Sequence, residues 1–191
     1  MQHIFILISS TIALISPIVY SIAIFKGKAK PHRTTRLVLL IITSLTTASL
    51  FAQHNTVAIY LAAVLTLQSI AIFILSIKYG MGGWGKTDVL CLLLALLGIL
   101  LWKITDNPRI ALYFAIGADF TGVIPTILKT YRLPHTEVWT YYMLGIFAAL
   151  FSLMAIKVWV VDQYAYPVYI MLINLIIVLL VIRPQSQAKS L

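Results

Sequence analysis

Asp119 is the residue of this chain whose setting makes chemistry most costly. It begins the stretch Asp119-Phe120-Thr121-Gly122-Val123-Ile124-Pro125-Thr126, inside an apolar segment running from Ile110 to Leu128, and no other Asp or Glu falls near the middle of such a segment. A carboxylate at the centre of a hydrocarbon layer costs about 2.5–3.5 kcal/mol on insertion scales, so an ionisable residue there marks a site. Three readings fit it: a group that takes up and releases a proton as its surroundings change, a binding group for a cation or amine, or a structural carboxyl held neutral by hydrogen bonds. No Lys, Arg or His lies near mid-segment to be its permanent partner. Six residues on, Pro125 removes a backbone donor and frees a carbonyl one turn earlier.

Two amides come next. Gln68 and Asn174 each lie near the middle of an apolar segment, where they either hydrogen-bond a polar solute from two sides of a cavity or join helices, a bond worth about 0.6 kcal/mol on average. Pro17 sits in the first apolar segment as Pro125 sits in the fifth. A pair of helix breaks serves as hinges for a moving bundle or is simply tolerated, since proline is common in membrane helices. The cluster Thr43, Ser44, Thr46, Thr47 and Ser49 reads more readily as small-residue packing than as cavity lining.

Other chemistries are poorly served. Gly80-Met81-Gly82-Gly83-Trp84-Gly85-Lys86-Thr87 matches the phosphate-loop spelling, but that loop needs a strand before it and a soluble sheet around it; here the glycines suit a turn anchored by Lys78 and Lys86. His3, His32, His54 and His135 lie in or near connections, Asp119 has no second carboxylate in its segment, and no metal-ligand spacing occurs. The reading is therefore not an enzyme, with no cofactor, no metal and no catalytic residue expected. Cys91 is the only cysteine, so an internal disulfide is impossible. The last apolar segment has no lysine between Tyr164 and Ile182, which removes a retinal-binding reading.

The elements that hold these residues follow from composition. The 191 residues are 61% hydrophobic and 10% charged, against about 25% charged in soluble domains. Apolar runs of about 16–23 residues suffice to cross a roughly 30 Å layer as helices, and lipid leaves no other way to satisfy an open backbone. Seven spans are expected, near 3–25, 34–52, 56–77, 87–104, 110–128, 138–156 and 164–182. The first is too long for a signal-peptide core and lacks a basic leader.

The net charge of +9 would suggest nucleic acid in a soluble protein, but the basic residues lie in the connections, so no nucleic-acid partner is expected. Eleven of the fourteen collect on one side: Lys26, Lys28, Lys30, Arg33, Arg36, Lys78, Lys86, Lys129, Arg132, Arg183 and Lys189. The positive-inside rule then predicts an N-terminus outside and a C-terminus in the cytoplasm, in a cell membrane. The stretch Lys26 to Arg33 could also hold anionic lipid at about 1 kcal/mol per basic residue. Trp84, Trp102, Trp139 and Trp159 stand near span ends, as an aromatic belt would.

The halves of the chain echo one another. Pro17 answers to Pro125, Pro31-His32 to Pro134-His135, Tyr60 to Tyr166 and Gln68 to Asn174, in order and at a nearly constant offset. A three-span unit can repeat in the same orientation only if one further span separates the copies, which gives 3+1+3 parallel repeats: a first repeat over 1–80, a linker helix over 81–108, a second repeat over 109–184 and a tail over 185–191. This layout resembles the SWEET and PQ-loop superfamily of seven-helix transporters, whose repeats carry a proline, often Pro-Gln, in their first helix. Ile18 and Thr126 stand here in place of that glutamine. Asp119-Phe120-Thr121-Gly122 is similar to a stretch in the fifth helix of the superfamily's lysosomal cystine exporters, and the resemblance implies proton coupling at the aspartate. It also implies solute contact at Asn174, where the sugar carriers use asparagine.

The expected function is a carrier for a small polar solute, bound by Asp119, Asn174 and Gln68, coupled to protons through Asp119 and hinged at Pro17 and Pro125. The alternative is a seven-helix receptor or sorting protein that binds a ligand without net transport, on the architecture of the receptor that retrieves endoplasmic-reticulum proteins. A third reading is a structural subunit whose polar residues only join helices.

Overall fold

The computed structural model describes residues 1–27, 31, 33–80, 84–132, 134 and 137–183, without the side chains at positions 125 and 129. The described residues are all-helical with no strand: α1 (Gln2–Phe25), α2 (Arg33–Ala52), α3 (Ala58–Tyr79), α4 (Lys86–Thr105), α5 (Pro108–Arg132), α6 (Trp139–Met154) and α7 (Val161–Ile182). Six are long and apolar enough to cross a membrane, and α6 is shorter at 16 residues. At 1.5 Å per residue α6 spans about 24 Å.

The expected sixth span ran to 156, whereas the helix stops at Met154. The apolar run goes on as a buried turn, with Ala155 and Ile156 packed beside Ile6, Val57 and Leu153. In the other direction α5 outruns its expected range by about a turn at its C-terminal end. It starts at Pro108, whose fixed φ and missing N–H suit a first helical position, and the Asn107 side chain accepts from the N–H of Arg109 at 3.1 Å.

Side-chain ties fix which ends lie together. At the Lys/Arg-rich end, Arg33 donates to the carbonyl of Ser76 at 3.1 Å, Thr35 donates to Asp88 at 2.7 Å, and Arg183 donates to the carbonyl of Tyr131. At the opposite end, Asn55 donates to the carbonyl of Asp162 at 2.8 Å, Ser49 donates to the carbonyl of Pro108, and Arg109 pairs with Asp162 at 2.9 Å.

Within the bundle α3 packs on α1 and α2, and α7 packs on α5 and α6; α1 meets α6, α2 meets α5, and α4 lies against α5 and α2. Thr47 and Thr66 share a hydroxyl contact at 2.8 Å, and Thr66 also donates to the carbonyl of Thr43, which joins α2 to α3, while Thr46 donates to the carbonyl of Ile42 in its own helix. Ser44 is exposed.

Candidate functional site

Pro17 leaves α1 continuous but deprives the carbonyl of Ala13, one turn back, of its donor. The hydroxyl of Ser16 fills that vacancy at 3.1 Å and also lies 3.0 Å from Oε1 of Gln68, the residue expected to line a cavity from α3. Gln68 is 8% exposed, and its amide nitrogen donates to the phenol of Tyr141 on α6. A chain of polar contacts thus runs from the proline defect across three helices.

Asp119 projects from α5, and its carboxylate accepts from the phenol of Tyr169 on α7. Its partner is thus a neutral donor and not a cation, which satisfies one carboxyl oxygen in either protonation state without fixing its charge. Gly122, one turn further on, lets α5 approach α4: a Cβ there would stand 3.3 Å from the Cys91 sulfur. Asn174 on α7 donates to the carbonyl of Ile170 at 2.7 Å and lies against Gly145 of α6.

Asp119, Gln68 and Asn174 all line one cavity of about 530 Å³. Ser16, Tyr20, Arg36, Thr43, Tyr141 and Tyr166 line it too, and at the Lys/Arg-rich end it reaches Pro31, Gly85, Thr87, Asp88 and Glu137. Its other end stops at a layer containing Ala13, Leu61, Ala148 and Tyr166, each buried or lining the wall. Beyond that layer stand the Asn55, Asp162 and Arg109 contacts, none of which lines the cavity.

Of the expected hinges, Pro17 does not line the cavity but bounds it through Ser16. Helix α5 runs through position 125, and the side chain of Pro125 lies outside the described residues. A proline the sequence reasoning did not single out, Pro167, lies buried inside α7. The residues expected to answer to one another differ in setting: Tyr60 is 51% exposed and Tyr166 only 4%, while Thr11, which the Pro17-to-Pro125 offset sets against Asp119, is exposed and donates to its own helix at Leu7.

Residues 81–83 of the phosphate-loop spelling lie outside the described residues, as do Lys28, Lys30, His32, His135 and the tail from 184. The N–H of Gly85 is already given to Asp88, at 3.0 Å, at the start of α4. Among the described residues no group of three or more His, Cys, Asp or Glu could hold a metal ion.

Sequence reasoning missed Tyr20, Tyr141, Tyr169 and Arg36. Tyrosines near span ends read as interfacial belt, and an arginine at a span start reads as a topology signal. Only the packing of helices distant in sequence turns them inward.

The fold and cavity define an integral membrane protein, built from long apolar helices around a cavity with polar residues in its lining. No family model matches the chain, and neither the curated proteins nor the solved structures give a match.

Proposed function

We propose that the chain is a carrier for a small polar solute, working by alternating access and coupled to protons through Asp119. The observation that carries this reading is the convergence of Asp119, Gln68 and Asn174, from three helices, on one cavity in the middle of an apolar bundle. Its volume of about 530 Å³ falls within the range of about 300–1,000 Å³ usual for small-molecule sites. A structural subunit has no need of such a cavity.

The 3+1+3 arrangement and the kinship with the SWEET and PQ-loop superfamily belong to the same proposal. What supports them is the symmetry of the packing. Exchanging α1, α2 and α3 for α5, α6 and α7 carries the α1–α3 contact into α5–α7, α2–α3 into α6–α7, and α1–α6 into α5–α2. α4 stands outside that exchange, as a linker would.

In this reading the cavity faces the Lys/Arg-rich side, and contacts among Asn55, Arg109 and Asp162 close the other. The solute binds against Asp119, Asn174 and Gln68, and the bundle then rearranges about Pro17 and Pro125. Uptake of a panel of neutral, anionic and cationic polar solutes into liposomes with an imposed pH gradient tests it. The expected result is pH-driven uptake that Asp119→Asn makes independent of the gradient. Saturable binding without flux of any solute would instead favour the receptor reading.

A further inference from the structure

We propose that Arg36, Tyr20 and Tyr141 form a carboxylate-binding site within the cavity, so that the solute is one bearing a carboxylate; its identity as the transported species rests on the carrier reading above. The three side chains come from α2, α1 and α6 and all line the cavity. Arg36 donates to the phenol oxygen of Tyr20 at 2.8 Å, and its guanidinium lies 5.0 Å from that ring. The rings of Tyr20 and Tyr141 are 5.3 Å apart, and Tyr141 accepts from Gln68.

Both phenols therefore accept, and each keeps its own O–H proton to give. No described group receives either proton, and Arg36 forms no ion pair with a described carboxylate. Asp88 is engaged by Thr34, Thr35 and Gly85, Glu137 by Tyr142, and Asp119 by Tyr169. The result is a cluster of donors around one cation that pairs with none of the described carboxylates.

Position adds to the charge. Arg36 stands in the first turn of α2, where the positive end of the helix dipole reinforces a cation instead of offsetting it. A half-buried charge without a counter-charge is costly to hold, and an incoming anion removes that cost. The planar guanidinium fork suits a carboxylate, which takes two parallel hydrogen bonds from it. A phosphate dianion fits less well, because Asp88 and Glu137 line the same cavity and repel a second negative charge. A bilayer headgroup fits less well too, because the guanidinium lies on Tyr20 among the cavity-lining residues.

The test is thermal unfolding of the purified full chain in detergent with butyrate, with butyramide as its uncharged isostere, or with inorganic phosphate. Butyrate is expected to raise the unfolding temperature saturably, and butyramide to leave it unchanged. Arg36→Gln should abolish the butyrate response, Arg36→Lys should keep a weakened one, and Tyr141→Phe should weaken half-saturation by about three- to tenfold. Equal responses to butyrate and butyramide, an undiminished response in Arg36→Gln, or stronger protection by phosphate would each overturn the assignment. Butyrate protection without flux in proteoliposomes would uphold this site while removing the carrier reading. Flux of a neutral solute without butyrate protection would do the reverse.

Discussion

Gly145 and Asn174 are matched across the α6–α7 interface: a Cβ on residue 145 would lie 2.9 Å from Cγ and Oδ1 of Asn174 and 3.0 Å from its Nδ2. The amide occupies space that only glycine leaves open. Gly145→Ala is therefore expected to push Asn174 out of place and to cost about 1–3 kcal/mol through overpacking. Adding Asn174→Ala should recover much of that loss, a coupling that denaturant unfolding of the two single variants and the double variant would measure. Strictly additive effects would mean that the two side chains do not compete for the same volume.

Ser16 serves as a substitute backbone donor for the one Pro17 lacks. Ser16→Ala should leave the carbonyl of Ala13 without a partner and cost about 1–3 kcal/mol. In a Pro17→Ala background the backbone N–H returns, so the same Ser16→Ala change should cost clearly less there. An equal cost in both backgrounds, read from unfolding midpoints, would separate the serine from the proline defect.

The hydrogen bond from Tyr169 to Asp119 ties α7 to α5 at the carboxylate that carries the proposed coupling. Hydrogen bonds to charged groups contribute about 1.5–3 kcal/mol. Tyr169→Phe should accordingly lower gradient-driven uptake by about tenfold or more, while Asp119→Asn removes its dependence on the gradient altogether. Uptake by Tyr169→Phe indistinguishable from wild type would show that the phenol does not act on the coupling group.

At the end away from the Lys/Arg-rich side, two neighbouring contacts should differ sharply in weight. Arg109 is 59% exposed and Asp162 25% at the side chain, so water screens their pair and Arg109→Gln should change stability by no more than about 1 kcal/mol. Asn55 is 4% exposed; it accepts from the N–H groups of Val57 and Ala58 at the start of α3 and donates to the carbonyl of Asp162. Asn55→Ala should cost at least about 2 kcal/mol, because it leaves several buried backbone groups unpaired. Thermal unfolding of the two variants side by side checks the order.

The helices were legible in the sequence because length and apolarity alone decide them, and the long apolar runs became α1 to α5 and α7 with small shifts at their ends. The sixth was the least legible, since a buried turn at Ala155 and Ile156 carries the same apolar residues as a helix. Asp119, Gln68 and Asn174 stood out as polar residues in apolar settings, and the fold gathers them in one cavity. What the sequence could not give was their partners. Tyr169 lies 50 residues from Asp119 and Tyr141 lies 73 from Gln68; neither tyrosine differs locally from one facing lipid. Arg36 carried two messages at once, and its place among the basic residues hid its place in the cavity.

Alternating access requires that one cavity open to each side of the membrane in turn. Ser69 lines it from α3. The direct measurement is labelling of Ser69→Cys, in a Cys91→Ser background, by a membrane-impermeant thiol reagent added to one face or the other of oriented vesicles. Labelling is expected from the Lys/Arg-rich face at rest and from the opposite face as well, faster from that face once Arg109→Gln loosens its contacts. Labelling confined to one face, with or without a pH gradient and in both backgrounds, would contradict it.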